Sequence, residues 1–121
     1  HACVGYDFCD GTQEAISKMA RYELENGITT ICPASMTFSE EKLGQIFETA
    51  KEYDGKDGAE LVGINMEGPF ISMEKKGAQN PEFIHKPDAE MFYRLQEKAG
   101  GLIKLVDIAP EVDGAIDCIK K

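Results

Sequence analysis

The sequence predicts an α/β fold, with helices alternating with short apolar strands in a parallel sheet. Three observations carry this. Apolar residues recur at i, i+3, i+4 and i+7 over segments of about ten residues or more. Short β-branched or apolar runs, bounded by Gly and Pro, lie between those segments. The two patterns alternate along the chain, and crossover helices between neighbouring strands make the strands parallel.

The elements follow in order. Thr12 can cap a helix from Gln13 to about Asn26, with Ala15, Ile16, Met19, Ala20 and Tyr22 on its buried side and Gly27 as the stop. Asp7 and Asp10, just before it, also read as caps for this first helix. Ile28-Thr29-Thr30-Ile31-Cys32 is β-branched enough for a strand and ends at Pro33. Ser39 caps a second helix, on which Leu43, Ile46, Phe47 and Ala50 share a face. After the turn cluster Asp54-Gly55-Lys56-Asp57-Gly58, the run Leu61 to Met66 reads as a buried strand that ends on Glu67 and is stopped by Gly68-Pro69. A long loop occupies about 68–87, and loops of that length in compact domains tend to carry function. Asp88 opens a third helix with Met91, Phe92 and Leu95 inward, and Gly100-Gly101 ends it. Leu102 to Ile108 forms a third strand before Pro110, and a fourth helix starts near Asp113 with Ala115, Ile116 and Ile119 apolar.

Composition bounds the function. A chain of 121 residues is one domain's worth of core. Apolar content of 42% and charge of 29% are ordinary for a soluble globular protein. The net charge of −9 disfavours nucleic acid and anionic membranes as partners. No apolar stretch approaches the ~18 residues that span a bilayer. Cys3, Cys9, Cys32 and Cys118 have neither CxxC nor Cys/His spacing, so reduced thiols and a cytoplasmic location are expected. The chain begins at His1 and ends on Ile119-Lys120-Lys121 inside a helical pattern, so residues 1–121 are expected to be a single partial domain, a piece of a larger protein.

Two architectures compete: an open doubly wound sheet and part of a (β/α)8 barrel. No G-x-G-x-x-G or G-x-x-x-x-G-K-[ST] follows any strand, which removes support from nucleotide-binding open sheets. A barrel needs eight strands and about 250 residues. This chain would supply about three strands, with a stub of another at its start.

The chemistry concentrates after the second strand, in Met66-Glu67-Gly68-Pro69-Phe70 and Lys75-Lys76-Gly77-Ala78-Gln79-Asn80-Pro81. A carboxylate at the C-terminal tip of a parallel strand is where α/β enzymes place metal ligands and acid/base groups. The plainer reading pairs Glu67 with Lys75 or Lys76. Those lysines could also serve as point-charge partners of a phosphate. His85, before Lys86-Pro87, reads as a loop histidine, and Glu111 as a turn residue.

These stretches, together with His1, Gly5-Tyr6-Asp7-Phe8 and Ala109-Pro110-Glu111, closely resemble N-acetylglucosamine-6-phosphate deacetylases of the amidohydrolase superfamily. The resemblance runs in order along essentially the whole chain. It implies a TIM barrel, of which this chain would form strands two to four. It implies hydrolysis of the acetamide of N-acetylglucosamine 6-phosphate to glucosamine 6-phosphate and acetate, with a divalent metal (zinc, iron or manganese) as cofactor. Glu67 matches the metal-ligand glutamate of the family's Glu-Gly-Pro motif. His1 matches the second residue of its His-x-His, which ligates a second metal in some members. Ala78 and Gln79 match a backbone-plus-side-chain pair that touches the substrate. Two positions depart from the pattern: Ala2 stands where the family has Gly, and Gln79 where it has His. Gln keeps a donor and an acceptor but cannot titrate.

The family's remaining metal-ligand histidines and its catalytic Asp come from later strands. No catalytic residue is therefore expected within these 121 residues, and the chain alone is expected to be inactive. The partner implied is a small amino-sugar phosphate. The competing expectation is a non-catalytic α/β module that associates with itself or binds a sugar phosphate, because an open piece of sheet exposes strand edges. A homo-oligomer, or pairing with the rest of a barrel, would cover them.

Overall fold

The structure, a computed structural model, describes residues 1–121. The chain opens with an antiparallel hairpin, β1 (Ala2–Cys3) with β2 (Tyr6–Asp7), and a 3-10 turn at Phe8–Asp10. The expected stub of a parallel strand is thus a hairpin, because Val4 and Gly5 both take positive φ and reverse the chain. Asp7 and Asp10 cap the 3-10 turn reciprocally rather than the helix. The helix cap falls to Thr12, whose Oγ1 accepts from the Ala15 amide at 3.1 Å.

Then follow α1 (Gln13–Glu25), β3 (Thr30–Ile31), α2 (Glu40–Lys51), β4 (Glu60–Leu61), β5 (Ile64–Glu67), α3 (Ala89–Lys98), β6 (Ile103–Asp107) and α4 (Ala115–Ile119). Ser39 and Asp88 cap α2 and α3 as expected, Asp88 accepting from the Glu90 and Met91 amides. Strand β3 pairs in parallel with β4, and β5 with β6. A parallel bridge between Ala34 and Asn65 joins the two pairs, so the middle segment, 60–67, lies between the other two.

The second strand is broken where a continuous one was expected. Ile64 pairs with Ile103 but Asn65 pairs with Leu105, so Lys104 is an extra residue in β6. Its side chain lies over Gly63, where an added Cβ would come within 2.6 Å of Lys104 Cγ. Gly63 makes room for the bulge.

Alternation assigns the two faces of the sheet. Ile64 and Met66 are fully buried and belong to the main core with Phe8, Ile16, Leu43, Ile46, Phe47 and Leu95. That core lies between the sheet and helices α1, α2 and α3, which pack side by side. Asn65 and Glu67 point the other way and are only half-buried. On α1 the buried stripe is Ala15, Ile16, Met19 and Ala20. Tyr22, expected inward, is 41% exposed because it lies against the hairpin rather than the core. Ile116 and Ile119 of α4 are likewise exposed. No helix is long and apolar enough to cross a membrane.

Candidate functional site

Three segments far apart in sequence meet at the C-terminal tip of β5. Gly68 takes φ +79°, and the Gly68-Pro69 peptide is cis. A side chain at Gly68 would be strained by that φ, and an added Cβ would lie 2.2 Å from Thr37 Oγ1. Glycine is therefore required directly after the glutamate, and it packs the exit of β5 against the segment after β3.

The Glu67 carboxylate is held from both sides. Oε2 lies 2.8 Å from His1 Nε2. Oε1 accepts from Gln79 Nε2 at 2.7 Å. Neither Lys75 nor Lys76 pairs with it; Lys76 Nζ donates to the Gly77 carbonyl at 3.3 Å. Gln79 is buried, and its Oε1 accepts from the Thr37 amide at 2.7 Å. Ala78, beside it, is exposed, and its N–H has no protein acceptor.

His1 approaches from the start of the hairpin. Its Nδ1 lies 3.1 Å from the Ala34 carbonyl oxygen, an acceptor only, so Nδ1 carries the proton. A neutral ring then aims its Nε2 lone pair at a carboxylate oxygen. That contact becomes attractive only with a proton or a cation between the two. One imidazole and one carboxylate thus fit a divalent metal chemically, the imidazole orientation being set by a backbone carbonyl. They fall short of a complete set, since no group of three His, Cys, Asp or Glu side chains converges anywhere in the chain.

The same face carries residues the motif reading did not single out. Asn65 precedes Glu67 by two, and its Nδ2 donates to Asp107 Oδ2 at 3.0 Å. Asp107 ends β6 in register with Glu67. Both were legible in principle, one from period-two spacing and the other as a second carboxylate at a strand tip. Ser35 Oγ, Thr37 Oγ1 and Asn65 Oδ1 are buried without a hydrogen-bond partner, which marks these strand exits as polar and incompletely satisfied. His85 stays apart from the site: it is exposed and edge-on to Phe70.

Thiol chemistry plays no part in this cluster. All four cysteines are free, and burial pushes the Cys9 thiol up to about 12, with Asp7 adding to the shift.

No protein-family model matches the sequence. Curated relatives do. The chain is 35% identical to an N-acetylglucosamine-6-phosphate deacetylase of Bacillus subtilis, over 99% of this chain and 32% of that protein. It is 30% identical to the Mus musculus protein of the same name, over 96% of this chain and 30% of that one. Among solved structures, N-acetyl-D-glucosamine-6-phosphate deacetylase from Mycobacterium smegmatis superposes with a TM-score of 0.89 at 28% identity, covering 98% of this chain and 31% of that chain. A point mutant of the Mycobacterium smegmatis protein, solved in complex with N-acetyl-D-glucosamine-6-phosphate, superposes with a TM-score of 0.82. The chain therefore spans about a third of the length of the relatives it matches. In sequence and in fold, it is homologous over nearly its whole length to a segment of the N-acetylglucosamine-6-phosphate deacetylases, a family of enzymes.

Proposed function

We propose that this chain forms one wall of a metal-dependent amidohydrolase acting on N-acetylglucosamine 6-phosphate. In this reading residues 1–121 are a single arc of a (β/α)8 barrel, and the half-open sheet face bearing Asn65, Glu67 and Asp107 is turned toward the barrel interior. The observation that carries the reading is the convergence of His1 Nε2 and Gln79 Nε2 on the Glu67 carboxylate at a strand tip. The complete enzyme hydrolyses the acetamide to glucosamine 6-phosphate and acetate, in the cytoplasm.

Glu67 and His1 would hold the divalent metal, whether zinc, iron or manganese. When bound, such a cation polarises the amide carbonyl and makes water a better nucleophile. The chain's own residues prepare the place. Ala34 fixes the ring nitrogen that His1 presents, and Gln79 leaves one carboxylate oxygen of Glu67 facing it. Ala78 offers its unpaired backbone N–H to the sugar, and Gln79 retains one amide hydrogen for it. Lys75, exposed on the same loop, supplies positive charge for the phosphate.

The 121 residues alone are expected to be inactive, because a catalytic zinc site normally takes three protein ligands and two are present. Acetate release is the measurement, on the isolated chain with each metal in excess and on the complete protein. Turnover is expected only from the latter, and in that protein Glu67→Gln should lose both metal and at least about a hundredfold in rate. Metal-dependent turnover by the isolated chain, or an unimpaired Glu67→Gln, would overturn the assignment.

A further inference from the structure

Gln79 does more than border the substrate. We propose that it is a positioning residue for Glu67, tying that carboxylate to the backbone after β3 and leaving only Oε2 to face His1. The inference rests on the reading of Glu67 as a metal ligand, and it concerns what holds that ligand still.

The argument begins with burial. Gln79 is 6% exposed, and a buried amide is costly unless both its ends are paired. Both are. Oε1 accepts from the Thr37 N–H at 2.7 Å, and Nε2 donates to Glu67 Oε1 at 2.7 Å. The orientation of the amide is dictated by its partners. A backbone N–H only donates and a carboxylate only accepts, so turning the amide over would place like against like twice.

The anchor is rigid as well. Thr37 is 2% exposed, and its side chain abuts Gly68, the residue after Glu67. A closed circuit results: Glu67 to Gly68, across to Thr37, through the Gln79 amide and back to Glu67. The terminal torsion of a glutamate is otherwise broad. Here one oxygen is taken by Gln79, which orients the other. The circuit also fastens the loop after β5, since Gln79 lies twelve residues beyond Glu67. The amide itself does not titrate.

The test uses the complete protein and three variants. Gln79→Leu keeps the approximate size and loses both hydrogen bonds. Gln79→His keeps one donor and one acceptor when neutral. Glu67→Ala removes the group being held. Zn2+ affinity is measured by competition with a chromophoric chelator, and the Co2+-loaded protein gives a ligand-field spectrum. Gln79→Leu should bind Zn2+ about 10- to 100-fold more weakly and alter the Co2+ spectrum, while Gln79→His recovers most of the loss. Glu67→Ala should bind negligibly. If Gln79→Leu matches the wild type while Glu67→Ala fails, the positioning role is wrong and the metal reading stands.

If Glu67→Ala binds normally, the metal reading is wrong, and the metal-free protein decides the inference by NMR. A Gln79 side-chain NH2 pair that is protected from exchange and shifts on Glu67→Ala supports the tie. A pair that exchanges freely and does not shift overturns it.

Discussion

Gly68 shows how much one position can settle. Its φ of +79° lies in the left-handed region, which costs a side-chain-bearing residue about 1–2 kcal/mol. The added Cβ would sit 2.2 Å from Thr37 Oγ1, and overpacking of that kind costs about 1–3 kcal/mol more. Gly68→Ala should therefore lower stability by about 3 kcal/mol in urea unfolding, and Thr37→Ala in the same background should return part of it. A loss under about 1 kcal/mol would mean that the exit of β5 is softer than its packing implies.

Cys9 gives a second test at this scale. Its thiol is pushed up to about 12 by burial, whereas the unfolded chain releases that proton at the ordinary value near 9. The unfolded state then binds fewer protons above pH 9, so this contribution to stability is complete below pH 9 and is lost as pH rises toward 12. Cys9→Ala should flatten the alkaline fall in stability relative to wild type. Native thiol labelling at pH 8 should reach Cys32, which is exposed, and spare Cys9 until the chain unfolds. The motif around Glu67 was legible from residue types alone. Its contacts were less so: the plainer alternative, a pair with Lys75 or Lys76, is not what forms, because tertiary packing brings His1 and Gln79 within reach and leaves Lys75 in solvent.

At the scale of elements, α2 is the hub. Phe47 is fully buried in the core between the helices and the sheet, so Phe47→Ala should cost about 3–5 kcal/mol by calorimetry or denaturant. Helix α2 is joined to α3 by a fork, Arg94 Nε to Glu40 Oε1 at 2.6 Å and Nη2 to Oε2 at 2.9 Å. The hydrogen bonds from Arg94 hold the Glu40 carboxyl below its ordinary value. A lowered carboxyl contributes stability above its unfolded pKa and loses it as pH falls through the folded one. Arg94→Met should thus lower the urea midpoint at pH 7 modestly, with the difference from wild type shrinking in acid and in high salt. A gap that persists in acid would assign the effect to packing instead.

The helix starts at Thr12, Ser39 and Asp88 could be read from sequence because a cap is a local hydrogen bond between near neighbours. The exposure of Tyr22, and the break in the strand at 62–63, could not. Tyr22 depends on where the hairpin lies, and the break depends on a bulge in β6 some forty residues away.

For the whole molecule the sheet is the question. Segment 60–67 is paired on both sides, while the flanking strands each keep one free edge. Leu105 and Val106 are exposed on β6, at 57% and 37%. Apolar residues and open edges of this sort favour pairing with another sheet. Light scattering of the isolated chain should show mass rising with concentration, and lysine substituted at Leu105 should suppress the rise. A strict monomer at high concentration would remove self-association as an alternative to the enzyme reading.

The sequence by itself determined the alternation of helices and strands, the caps, the two flanks of Glu67 and the resemblance to a deacetylase family. Each of these depends on residues close together in the chain or on a short motif. Tertiary structure alone decided that the opening residues form a hairpin, that the strand into Glu67 is broken, and that His1, Thr37 and Gln79 all gather at one carboxylate. The hairpin turns on the backbone at Val4 and Gly5, which no apolar periodicity marks, and the other two outcomes depend on contacts between segments more than ten residues apart. Such contacts follow from how the helices and strands pack, and periodicity does not record them.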